Sequence, residues 1–217
     1  MQQVIQMAER LYSPPIFQRT KNIQFRLLGI LPLLFFLFQA VHYYRIDELG
    51  HVLWMCNIGN LVLAIGFFFC NPMLIRVAFL WMIPGLIVWI VYVVLAWGIF
   101  LSSTLAHVGG VVVGLIGLRR VGMDRHTWFY ALLWYFVMQI VSRLATPAKL
   151  NVNVAHAIED GWRQNFDRYW KFWLVLTLVV AVILWLVGLL LAKAFPPFRV
   201  PSSNERTQPV MNLPQSG

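Results

Sequence analysis

Six apolar runs divide the chain between residues 27 and 194, at 27–43, 52–70, 73–96, 101–118, 127–144 and 172–194. Each holds at most one Lys, Arg, Asp or Glu. A run of about 18 or more such residues is long enough to cross the ~30 Å hydrocarbon core of a bilayer as a helix. Inside lipid the backbone must satisfy its own hydrogen bonds, which a helix does within a single segment. The expected fold is therefore all-α, a polytopic transmembrane bundle of about six helices. Composition agrees: 60% of the 217 residues are hydrophobic and 12% charged, against roughly 45–50% and 25% in soluble domains.

The bundle takes up 26–194 and leaves no second domain. Residues 1–25 form a cytoplasmic N-terminal segment, mixed polar and apolar and broken by Pro14-Pro15. The first apolar run starts too late and is too long for a cleavable signal peptide. Residues 195–217, rich in Pro and Ser, read as a disordered cytoplasmic tail. Pro32 and Pro84-Gly85 are expected to kink the first and third runs. Gly110 and Gly114 form a small-xxx-small pair that favours close helix contact. The runs at 127–144 and 172–194 are joined by a long polar, aromatic-rich loop, in which 155–170 reads as an amphipathic piece suited to the membrane interface.

The net charge of +9 belongs to loops and tails, where it sets topology and attracts anionic lipid. Lipids are the expected partners, not nucleic acid, because no soluble basic face exists. With the N-terminus inside, 11 Lys and Arg fall on the cytoplasmic side and 6 on the other. This favours cytoplasmic termini and a plasma (inner) membrane location.

That topology gathers four of the five histidines at the outer end: His42, His51, His107 and His156. Cys56 lies about one turn into the second run from the same side, and Arg143 near the outer end of the fifth. At about 100° per residue, Ser103, Thr104, His107, Gly110 and Gly114 share one stripe. Cys56 and Asn60 share another, with Asn57 at its edge. Gln39 and His42 share a third, and Gln139, Ser142 and Arg143 a fourth. Ionisable groups inside a membrane are costly and mark a site by default. A cysteine becomes a useful nucleophile when a neighbouring imidazole or cation lowers its pKa. His107 is the candidate base for Cys56, and Asn57 or Asn60 the group that orients the ring or donates to an oxyanion. Arg143, with the loop arginines, is the candidate for a phosphate headgroup, and His156 stands with it among the candidate substrate contacts.

Blander readings exist for each residue. A cysteine in an apolar helix is often a small hydrophobe, and intramembrane Ser and Thr often bond their own backbone. The histidines lack the spacing of a zinc motif, and no phosphate loop, GxSxG elbow or zinc-protease motif occurs, so neither metal nor cofactor is expected. Cys56 and Cys70 are 14 residues apart, about 21 Å along a helix, too far to bridge. Asp47, Glu48, Glu159 and Asp160 read first as solvated loop charges, the alternative being that they position a histidine.

Taken in order, HVLWMCN from His51, LWMIPG from Leu80, STLAHVGG from Ser103, KLNVNVAH from Lys149 and the aromatic entry through Tyr169, Trp170 and Trp173 carry a resemblance. The chain resembles the YwaF-type bacterial membrane proteins and transmembrane protein 164. More distantly it resembles the androgen-induced proteins that hydrolyse fatty-acid esters of hydroxy fatty acids. The resemblance covers roughly 49–173. It implies a nucleophile at Cys56, a base at His107, and a hydrolase or acyltransferase acting on lipid acyl esters. The alternative is a non-catalytic membrane protein, a lipid-binding, assembly or channel subunit, in which the same polar stripes join helices.

Overall fold

The computed structural model describes residues 23–96, 98 and 100–197. The N-terminal segment and tail read from the sequence therefore lie outside the described residues, except for 23–25 and 195–197. The helices are α1 (Ile23–Arg45), α2 (Met55–Phe68), α3 (Pro72–Ala96), α4 (Leu101–Val121), α5 (Thr127–Ala145) and α6 (Tyr169–Ala194). No strand occurs among the described residues. The architecture is the expected all-α bundle.

Successive helices alternate in direction. Arg26 Nε donates to Phe68 O at 2.9 Å, joining the start of α1 to the end of α2. Arg76 donates to Gly122 O and Val121 O at 2.8 and 2.9 Å. These bonds satisfy carbonyls at the end of α4 that have no partner within the helix. Met123 N–H donates to Phe195 O at 2.6 Å, bringing the exit of α6 to the same place. This is the Arg76 end of the bundle. Arg45, Met55, Leu101, Ala145 and Tyr169 mark the opposite end, and α3 packs against α2, α4, α5 and α6.

Among the described residues five helices are long and apolar enough to cross a membrane. The exception is α2, whose 14 residues give about 21 Å of rise. It starts three residues later and stops two residues earlier than the expected 52–70. Ten of its 14 residues are buried, so protein rather than lipid surrounds it and no match to bilayer thickness is imposed. A short 3-10 turn, Leu49–Leu53, leads into it. On α6 the opposite holds: Leu174, Leu178, Val182, Leu186 and Leu190 recur every fourth residue and are all exposed. In water that stripe would be an aggregation-prone patch; in a bilayer it is the lipid-facing surface. The chain is a multi-pass integral membrane protein.

Local sequence explains the breaks. Pro32 has no N–H for the carbonyl of Leu28, and the first helix is interrupted at Leu28-Gly29, between Ile23–Leu27 and Ile30–Arg45. α3 stays one helix through Pro84. Along α4 the glycines pack as the small-xxx-small pattern implies. A Cβ on Gly110 would stand 2.5 Å from Asn60 Oδ1, and one on Gly114 2.6 Å from Phe79 Cδ2. Phe79 is itself buried and has nowhere to retreat. Gly114→Ala is accordingly expected to destabilise the protein by about 1–3 kcal/mol, read as a lower unfolding midpoint in detergent. Gly161→Ala, where nothing lies within 4 Å, is expected to leave the midpoint unchanged. Equal midpoints for both variants would show that the α4 contact is looser than the geometry indicates.

The loop after α5 contains no α-helix before Tyr169; it holds the 3-10 turns Ala148–Leu150, Val152–Val154 and Asp160–Trp162. Asn151, Asn153 and Val154 have positive φ. Asn151 Oδ1 accepts the N–H groups of His156 and Ala157 at 3.1 and 2.9 Å. Asparagine side chains compete with helical hydrogen bonds in this way, and they fold the loop back into the mouth of the bundle.

Candidate functional site

The site starts where α2 starts. Trp54, at the cap position, makes no side-chain hydrogen bond that caps the helix. The cap comes from 98 residues away: Met55 N–H donates to Asn153 Oδ1 at 3.0 Å. Asn153 Nδ2 donates to Leu53 O and to Ser142 Oγ, both at 2.8 Å. Gln139 Nε2 donates to Asn153 O at 2.7 Å. One buried asparagine thus ties the loop, the first turn of α2 and the last turns of α5 together.

Cys56 follows directly. Its thiol reaches Asn57 Oδ1 at 4.0 Å, and Asn57 Nδ2 donates to His51 O at 3.0 Å. A Cβ on Gly85 of α3 would lie 3.4 Å from Cys56 Cβ, so the cysteine side chain packs where Gly85 leaves space. Asn60, one turn on, bridges two helices. Its Nδ2 donates to Cys56 O at 3.1 Å and to Ala106 O at 2.9 Å. Its Oδ1 is buried without a hydrogen-bond partner among the described residues.

α4 reaches this level through a single π-helical turn, Leu105–Gly109. Such turns are rare and are frequent at functional sites. His107 sits in it, with Nδ1 2.8 Å from Ser103 O. A carbonyl only accepts, so Nδ1 carries the proton, and in the neutral ring Nε2 is an acceptor with no hydrogen-bond partner among the described residues. The ring stacks on Trp89 of α3, with centroids 5.4 Å apart and planes at 14°. Trp89 Nε1 donates to Ser103 Oγ at 2.9 Å. Gly85 and Trp89 are one turn apart on α3 and share a face. Cys56 packs at the first and His107 at the second. No hydrogen bond joins the thiol to the imidazole among the described residues.

The other sequence candidates separate. Tyr43 stands beside Gln39 and Asn57 with Cys56 nearby. His42 packs near Phe100. His51 Nδ1 accepts from Trp54 Nε1 at 2.9 Å, and its Nε2 lies 3.2 Å from Glu48, so both ring nitrogens are occupied. Glu48 is therefore this histidine's partner and not a purely solvated charge. His156 Nε2 lies 3.3 Å from Thr146 Oγ1 in the folded loop. Arg143 is on the exposed side of α5, where Nη1 donates to Ala155 O at 3.3 Å and the guanidinium sits 5.5 Å from the Tyr169 ring centroid. Among the described residues no three His, Cys, Asp or Glu side chains are grouped to hold a metal ion.

Asn153, Tyr43 and Trp89 are the residues that sequence reasoning did not single out. The repeated asparagine of NVN, in a loop between two spans, was the available signal for the first, because Asn tolerates positive φ and caps helices. No family model, curated protein or solved structure matches the chain.

Proposed function

We propose that this protein is a membrane-embedded lipid acyl hydrolase or acyltransferase that uses Cys56 as nucleophile and His107 as base. The observation that carries this reading is the convergence on one stripe of α3. Cys56 packs at Gly85, His107 stacks on Trp89, and Asn60 bridges Cys56 O and Ala106 O. The resemblance to YwaF-type proteins and transmembrane protein 164 points to the same pair. His107 has a base's arrangement, with one nitrogen held by a carbonyl and the other without a hydrogen-bond partner among the described residues.

In the proposed reaction His107 Nε2 takes the thiol proton, and the thiolate attacks the ester carbonyl carbon. Asn57 donates to the developing oxyanion with the Nδ2 hydrogen not used on His51 O; both Nδ2 hydrogens of Asn60 are already given to Cys56 O and Ala106 O. Collapse of the tetrahedral intermediate breaks the carbon–oxygen ester bond, and the alcohol leaves with the proton from His107. Water or a second lipid alcohol, deprotonated by His107, then cleaves the thioester and regenerates the thiol. The Cys56 end faces outward and the termini are cytoplasmic, a placement supported by the 11 to 6 distribution of Lys and Arg and the positive-inside rule.

A second reading has its own observation. The Cys56 thiol is directed at Asn57, as expected if the polar cluster only joins helices in a lipid-binding protein. Labelling with a thiol-reactive acyl probe separates the two. The enzyme reading expects the label on Cys56, with the rate falling at least about a hundredfold in His107→Ala, the lower end of a base's contribution. Slow, equal labelling in both proteins removes the dyad and leaves the lipid-binding reading.

A further inference from the structure

The geometry points to a separate site for a lipid phosphate headgroup at Arg143, in a cavity between α5, α6 and the folded loop. The cavity has a volume of about 360 Å³ and is lined by Gln139, Arg143, Ala155, Tyr169, Trp170 and Trp173. It contains neither Cys56 nor His107, and the inference stands whether or not that pair is catalytic.

Charge is the first argument. A guanidinium offers five N–H donors, and Arg143 uses one of them on Ala155 O. Among the described residues it has no carboxylate partner. The loop acids are already engaged: Asp160 with Arg163, Asp167 with Lys171, and Glu159 as acceptor for Asn151. An incoming anion therefore meets an uncompensated cation. The Tyr169 ring, with its centroid 5.5 Å from the guanidinium carbon, helps to hold the planar fork, and Tyr169 OH is fixed by donating to Val154 O at 3.0 Å. A planar, oriented guanidinium is suited to two-point recognition of phosphate.

Depth and surroundings select a lipid. Trp170 and Trp173 sit at the start of α6, where indoles mark the headgroup level of a bilayer. From the cavity, exposed apolar side chains continue along both helices: Ile140, Val137 and Leu133 on α5, and Leu174 and Leu178 on α6. A phosphate at Arg143 would leave its acyl chains lying along these tracks.

The test uses the purified full chain in detergent, with short-chain phosphatidylglycerol below its micelle concentration and the unfolding midpoint as readout. Diacylglycerol of the same chain length and inorganic phosphate are the comparison ligands. Phosphatidylglycerol is expected to raise the midpoint of wild type, and diacylglycerol to bind much more weakly. Arg143→Gln is expected to weaken phosphatidylglycerol binding about tenfold or more, as loss of charge-assisted hydrogen bonds does. Arg143→Lys should recover part of that, since it keeps the charge but not the fork, and Arg119→Gln, in the last turn of α4 at the other end of the bundle, should bind as wild type. Arg143 is exposed, and an unchanged lipid-free midpoint in Arg143→Gln checks that the fold is intact. If inorganic phosphate displaces the lipid and protects only proteins that carry Arg143, the phosphate site holds and its ligand is soluble. Equal lipid affinity in wild type, Arg143→Lys and Arg143→Gln, or diacylglycerol binding as tightly as phosphatidylglycerol, overturns the inference.

Discussion

With a lipid ester substrate, Cys56→Ala is expected to reduce turnover to background, a loss of roughly 10⁴-fold or more, because no covalent intermediate can form. His107→Ala should lose about 10²–10⁴-fold, the range of a positioned general base. The informative variant is the double one. Groups that act as a unit lose their effect once, so Cys56→Ala with His107→Ala should be no slower than Cys56→Ala alone. Cys70→Ala is the control. Cys70 lies just beyond the other end of α2 and its thiol reaches Phe67 O at 3.7 Å, so turnover should be that of wild type. Detergent-solubilised protein, with product quantified by mass spectrometry, is sufficient for the measurement. Losses that multiply in the double variant would mean that the two residues do not share a step, and a Cys56→Ala protein as active as wild type would remove the proposed nucleophile.

The helices were legible because hydrocarbon imposes a simple rule. A span must be apolar, about the right length and internally hydrogen-bonded, and hydropathy reports all of this. α2 was harder to delimit for the same reason, since a helix enclosed by other helices is released from the length rule. Gly110 and Gly114 were readable because only a missing side chain permits the approach of Asn60 and Phe79. The loop was not legible. Its amphipathic pattern in 155–170 gave no shape, which is decided by Asn151 and Asn153, whose partners lie up to 100 residues away. The same limit applies to the site. Helical spacing placed His107 and Ser103 on one stripe, but the orientation of the imidazole comes from a backbone carbonyl within a π turn and from Trp89 on another helix. Periodicity alone carries no information about those contacts. His51 shows the reverse case: it looked like a site residue, and its two partners, Trp54 and Glu48, are local.

Asn153 is where the largest structural effect is expected. Asn153→Leu keeps a side chain of similar size but removes both ends of its amide. The buried Met55 N–H, the Leu53 carbonyl and the Ser142 hydroxyl then lose a partner together. Each such group costs about 1–3 kcal/mol when left unpaired, and a branched side chain at φ 54° adds backbone strain. A loss of roughly 3–5 kcal/mol follows, read as a fall in the unfolding midpoint. Asn153→Gly separates the two causes, because glycine accepts that φ without strain while still deleting the hydrogen bonds. If the hydrogen bonds dominate, Gly should recover only the strain portion and remain well below wild type; a Gly variant as stable as wild type would leave backbone strain as the whole effect. The capped turn also carries Cys56. In both variants, amide exchange at 55–58 should accelerate ahead of the rest of α2, and Cys56 should become more accessible to a neutral thiol reagent while Cys70 does not change. Uniform acceleration along α2 would mean that Asn153 stabilises the bundle as a whole and does not specifically hold the turn that presents the thiol.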